Sequence, residues 1–257
     1  MKKIIVPNPT KDNLTDQFIA LTQTLAEIGK ETDVIFDFSE QKKIYPLTIL
    51  PLYTYMHDRN NKINPPSIAG AKIPITCFSN TPDIKTRDNL IYDFGEKLYI
   101  TMGGIEGTKD AIFYPIIELI TNIFEHSHKD EGWAFGQLDP GKKHLDICII
   151  DTGRGLRESY LQEKKLKLTD EEAIGQAIIG NSTKPENERG FGIKTSIKVV
   201  YKGLKGSFIM MSGKAALLKD NNSEEFITLD KAIWGGVVLA YRIPLPTGPI
   251  DMYQYVE

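Results

Sequence analysis

Glu118-Leu-Ile-Thr-Asn122-Ile-Phe-Glu125-His126-Ser-His128 is the polar edge of a strongly apolar segment, and its reading decides the fold. At about 100° per residue, Glu118, Asn122, Glu125 and His126 fall within one sector of roughly 100°, whereas Ile112, Ile116, Leu119, Ile120 and Ile123 occupy the opposite side. A helix from about Asp110 to His128 can therefore pack on a sheet and still present carboxylate, amide and imidazole to one cavity. An amphipathic surface helix whose polar face meets only water has the same pattern, so the rest of the chain must choose.

The 257 residues are 41% hydrophobic, enough for a substantial core in one large domain or two lobes. Lys plus Arg number 31 against 34 Asp plus Glu, a net charge of -3, so no global positive field favours nucleic acid. Cys77 and Cys148 each lie in an apolar run, as small core residues do, and suggest no metal site. Met1-Lys-Lys-Ile-Ile-Val turns polar at Pro7-Asn-Pro, too soon for a secretion signal, and no apolar run nears the roughly 20 residues that span a bilayer. A cytoplasmic protein without membrane contact is the expectation.

Outward from the opening stretch, residues 4–6 read as a strand, and Asn13-Leu-Thr-Asp16 leads into a helix ending at Gly29. Asp33 to Phe38 reads as a strand, and Ile44 to Met56 as a helix with Pro46 in its first turn and Pro51 dividing or kinking it. Asn60 to Ser67 is a loop and Lys72 to Phe78 a third strand, which together make a small α/β lobe. Residues 81–107 read as a connector, with Lys97 to Thr101 as a strand. Strands at Gly132–Leu138 and Lys143–Ile150 are joined by the turn Asp139-Pro-Gly-Lys. A helix follows from Leu156 to Lys167, then a capping box at Thr169-Asp-Glu-Glu172 before Ala173 to Ile179. The polar stretch 180–189 reads as a mobile loop, followed by a helix over 193–201 and strands at Ser207–Met211, Phe226–Leu229 and Gly236–Ile243.

Three features occur in order: Glu118-x-x-x-Asn122, Asp151-Thr-Gly153-Arg-Gly155, and Gly190-Phe191-Gly192-Ile193. Singly, the second is an ordinary Asp-Gly turn and the third a sharp helix entry. As a set, within residues 108–246, they resemble the N, G1 and G2 boxes of the GHKL ATPase superfamily. Asn181-Ser-Thr183-Lys184 is similar to the stretch before the lid in many histidine kinases, and Val237 to Pro246 to their closing strand. The resemblance implies an α/β fold: a C-terminal two-layer sandwich of the Bergerat type over 108–257, a mixed sheet with helices on one face. The small N-terminal α/β lobe and connector, 1–107, would serve regulation or interaction, and its strand-helix unit at Val34 to Met56 looks like that of STAS-type domains.

By that resemblance the cofactors are ATP and Mg2+. Asn122 would ligate the metal, which suits a cation that takes oxygen donors and keeps several waters. Glu118 would be the catalytic carboxylate or a partner that orients Asn122. Asp151 would accept a hydrogen bond from the adenine amine, while Gly153 and Gly155 let backbone approach the base. Gly190, Phe191, Gly192 and Ile193 would open a phosphate-binding helix N-terminus, with Thr183, Lys184 and Arg189 contributing from the lid. His126 falls on the N-box histidine and would support the site rather than accept phosphate, and Glu125 stands where histidine kinases often carry a basic residue. No phosphoacceptor segment precedes residue 108, which argues against an ordinary sensor histidine kinase. The expectation is slow ATP hydrolysis that couples lid closure to a protein partner, STAS-like or a second copy in a homodimer. The alternatives are a serine kinase of the anti-sigma-factor type and a non-catalytic ATP sensor.

Overall fold

The structure is a computed structural model that describes residues 2–29, 31, 33–59, 73–79, 84–127, 129–139, 141–181, 183, 192–220 and 223–255. Seven strands form one sheet in the order β3 (Ile73–Ser79), β4 (Glu131–Asp139), β5 (His144–Ile150), β9 (Trp234–Pro244), β6 (Ser207–Gly213), β7 (Ala215–Lys219) and β8 (Glu224–Thr228). Every pairing in this sheet is antiparallel, whereas β1 (Lys2–Ile5) and β2 (Val34–Asp37) pair in parallel as a separate ribbon. The α/β sandwich is as expected, but the large sheet is antiparallel throughout rather than mixed, and helices cover both of its faces rather than one.

The burial pattern of β5 shows how the layers are arranged. All seven of its residues are buried, because alternate side chains enter two different cores. Leu145, Ile147 and Ile149 pack with helices α3 (Ile84–Thr101) and α4 (Thr108–His126), while Cys148 and Ile150 pack with α1 (Leu14–Ile28) and α2 (Pro46–His57). The helices that follow β3 thus cover one face, and the N-terminal lobe covers the other. α2 is buried almost all round, including Leu47, Leu50 and Leu52, as suits a helix wedged between lobe and sheet. Pro46 occupies its first turn and Pro51 lies within it. Cys77 is half-buried, and both cysteines are free thiols.

Local signals account for the helix ends. Asn13 caps α1 by accepting from the Asp16 N–H at 2.7 Å, and Gly29 closes it at φ 59°. The capping box at Thr169 and Glu172 opens α6 (Asp170–Ile179). α5 spans Gly155–Lys164, and α7 (Gly192–Lys198) continues as a π-helical turn over Val199–Gly203.

Two further expectations need correction, and one strand was not anticipated. Lys97 to Thr101 is not a strand but the last part of α3, since Ile91, Phe94, Leu98 and Met102 recur at helical spacing and all are buried. The third strand of the expected N-terminal lobe, β3, pairs with β4 and so extends the large sheet. β7 reads Ala-Ala-Leu-Leu-Lys, without alternation and rich in helix formers, and is a strand because it is held between β6 and β8.

A charged network ties the lobes together. Arg242 on β9 grips Asp146 on β5 with two bonds of 2.7 Å and reaches Asp12, just before α1, at 2.9 Å. Gln17 on α1 donates to Asp146 at 3.1 Å, while Lys43 and Lys142 pair with Asp12 at 2.8 and 2.9 Å. Burial alone would raise the Asp12 pKa, but bonds from Lys43, Lys142 and Arg242 outweigh it and hold the carboxyl well below the usual range. No helix among the described residues is long and apolar enough to cross a membrane.

Arg242→Ala leaves Asp146, 5% exposed, without its charge partner. Urea denaturation should show a loss of about 3 kcal/mol or more. A change below roughly 1 kcal/mol would mean that the apolar contacts alone hold the lobe to the sheet.

Candidate functional site

The sheet parity that buries β5 also builds a pocket floor. Ile149 pairs with Leu239, and Leu239 with Met210, so the three form an apolar row across β5, β9 and β6. They floor a pocket whose empty volume, open mouth included, is about 1040 Å3. Two positions on from Ile149, at the same parity, Asp151 places a carboxylate at the edge of the row.

α4 forms one wall. Glu118 and Asn122, one turn apart, both line the pocket and are half-buried. The Asn122 amide nitrogen faces the Glu118 carboxylate at 3.5 Å, which turns the amide oxygen to the other side as an acceptor. Leu119, Ile123 and Ser127 complete this wall, and Leu156, Ser159 and Tyr160 of α5 stand opposite. Tyr160 donates to the Asn181 carbonyl at 2.5 Å, fixing the chain that leaves α6.

The Asp151 loop is held from several sides. Gly153 N–H donates to Oδ1 at 2.8 Å and Val237 N–H to Oδ2 at 3.2 Å, while Trp234 Nε1 donates to the Asp151 carbonyl at 2.8 Å. Burial pushes the carboxyl up to about 6, against the lowering effect of the two backbone donors and of Lys129. A side chain at Gly153 would meet the Ser127 carbonyl at 2.3 Å, so that glycine admits the end of α4 rather than lining the pocket. Gly155 does line it, but its φ of +75° and the Gly235 carbonyl, 2.5 Å from any Cβ there, already require glycine. The Arg154 guanidinium turns away to Ser159 and Glu163 on α5.

Of the other expected residues, Thr183, Gly192 and Ile193 line the pocket. Lys184, Arg189, Gly190 and Phe191, like His128 and the side chains of Glu125 and His126, lie outside the described residues. Among the described residues no lysine or arginine lines the pocket, and its ionisable carboxylates are Glu118 and Asp151.

Sequence reading missed the floor, Tyr160, and the Gly235-Gly236 pair that backs Asp151. The floor was within reach, because once Asp151 is assigned to a face of β5, parity assigns Ile149 as well. Gly236 carried no such signal. Its role rests on a Cβ there lying 2.3 Å from both the Asp151 carbonyl and Oδ1.

Asp12, Asp139 and His144 also lie close enough to suggest a metal site. Lys43 bonds both carboxylates, and Lys142 and Arg242 bond Asp12, so cationic side chains already occupy the acceptors. The donor set does not suit a metal ion. A scan against protein-family models and a search of curated proteins find no match to the chain.

Between about pH 4 and about pH 6 the folded chain keeps a proton on Asp151 that the unfolded chain releases. This group's contribution to stability therefore falls as pH rises through that window and stays low above it, an effect of roughly 3 kcal/mol. Denaturation of Asp151→Asn beside the parent should show the variant gaining in relative stability from about pH 4 to about pH 7. A pH-independent difference would contradict the buried, protonatable state. Gly236→Ala should cost about 1–3 kcal/mol by the same measurement, because Asp151 must move.

Proposed function

We propose that this pocket binds ATP with Mg2+, and that slow hydrolysis there couples closure of the segment after Gly180 to the control of a protein partner. One observation carries the reading. A single cavity gathers Glu118, Asn122, Asp151, Gly155, Thr183, Gly192 and Ile193, which the sequence separates by up to 75 positions and which the GHKL resemblance assigns to one nucleotide.

The chemistry of the lining supports it. An apolar floor ending in a hydrogen-bond-accepting carboxylate suits a flat heteroaromatic base with an amino group at its edge. Asp151 already accepts one backbone N–H on each oxygen and keeps a further lone pair on each, so an incoming amine displaces nothing. The acidic wall would repel bare phosphates. Glu118 and the Asn122 oxygen supply hard oxygen donors that fit a magnesium ion, which would neutralise phosphate charge there. Glu118 is the group that would orient or deprotonate water.

The 3.5 Å contact between Glu118 and Asn122 favours a second reading, in which Glu118 only aims the amide and the protein senses nucleotide without cleaving it. Calorimetry should detect ATP binding that requires magnesium, and its absence would end the proposal. GTP should bind more weakly. Binding should weaken below about pH 6, where the Asp151 carboxylate takes up a proton. Glu118→Ala should retain binding and lower hydrolysis at least about 100-fold if Glu118 is the base. Unchanged hydrolysis would assign it to orienting Asn122.

A further inference from the structure

We propose that the cleft between the lobes, on the reverse side of the Asp151 loop, is a binding site for an amino-acid-like zwitterion with an apolar side chain. The cleft encloses about 1020 Å3, open mouth included, between the C-terminal ends of α1 and α2 and the strand-to-strand turn before β9.

Its polar groups are of both signs. Arg59 is held in place, its guanidinium 3.6 Å from the centre of the Tyr55 ring and its Nη1 donating to the Tyr55 carbonyl at 3.2 Å. That fixed fork keeps further N–H donors, which match a carboxylate better than any flexible ammonium does. Lys231 adds a second positive charge to the lining. Glu31 and Asp58 supply two negative charges, and among the described residues the basic group paired with Asp58 is His57, its Nδ1 at 4.0 Å. A phosphate dianion would gain from one pair and be repelled by the other. A zwitterion satisfies both, its carboxylate on Arg59 and Lys231 and its ammonium on Glu31 and Asp58.

The rest of the lining is apolar. Leu25, Ile28 and Trp234 are buried in the wall, and Ile233, 61% exposed, stands at the mouth. An aliphatic or aromatic side chain would cover them.

The position of the cleft gives the site a consequence. Thr152 and Gly235 line it, Gly235 turns its carbonyl toward Gly155, and Trp234 bonds the Asp151 carbonyl from this side. An occupant therefore presses on the back of the loop whose front lines the larger pocket.

The chain has two tryptophans, and Trp234 is in the cleft. Indole fluorescence of the full chain, titrated with L-leucine and L-phenylalanine without nucleotide, should show a saturable change with at least one of them. Isovalerate and isopentylamine, which each carry one charge, should bind at least about tenfold more weakly, one ionic contact being lost. Arg59→Ala and Asp58→Asn should each weaken the amino acid at least about tenfold, with the circular dichroism of the parent. No saturable change with either amino acid at millimolar concentration would overturn the proposal, as would unaltered affinity in Arg59→Ala. Displacement of the amino acid by inorganic phosphate would make the cleft a simple anion site and equally overturn it. None of these outcomes bears on ATP binding, which calorimetry tests separately.

Discussion

The molecule depends on a sheet with no free face at its centre. Strands β5, β9 and β6 bury side chains of both parities, one set under α3, α4 and α7 and the other under α1 and α2. Neither helical layer can leave without exposing a row of aliphatic side chains, at about 25 cal/mol for each Å2. The N-terminal lobe is therefore part of the core, and the Arg242 network sets its register on strands that apolar contact alone would let slide.

The same two-sidedness shapes the pocket. Asp151 ends a fully buried strand, and the loop that follows passes between the end of α4 and the start of β9. Close backbone packing there excludes water, which is why the carboxyl holds its proton to a higher pH than a surface aspartate. The glycines of the motif serve this packing first. Whatever they also do for a ligand, Gly153 and Gly155 are demanded by Ser127 and Gly235.

Much of this was legible from sequence where a periodicity or a cap spoke clearly. α1, α4 and α6 carried an apolar stripe together with a glycine, asparagine or capping-box boundary, and β4 and β5 carried an Asp-Pro-Gly turn between apolar runs. The polar edge of α4 was read by angle alone, and Glu118 and Asn122 do meet in one cavity. The misreadings came where tertiary contact decides. β3 sits before a helix as readily as any lobe strand, and only pairing with β4 assigns it to the large sheet. β7, to which no element was assigned, has the composition of a helix and is a strand because two neighbours supply its hydrogen bonds. The second helical layer was invisible because a strand buried on both sides and a strand of a one-sided sandwich differ only in their outward residues.

One modest contact binds the end of the described chain to the start of α4. The Ile250 N–H donates to the Glu106 carbonyl at 3.1 Å, Met252 is buried in the α-layer core, and the Tyr255 ring lies against the π-helical turn at Gly203. The segment after β9 thus works as a strap across the entry of α4 and the exit of α7. Tension on it would be felt at both helices that flank the pocket, so the stiffness of the cavity is set partly by chain that never touches it.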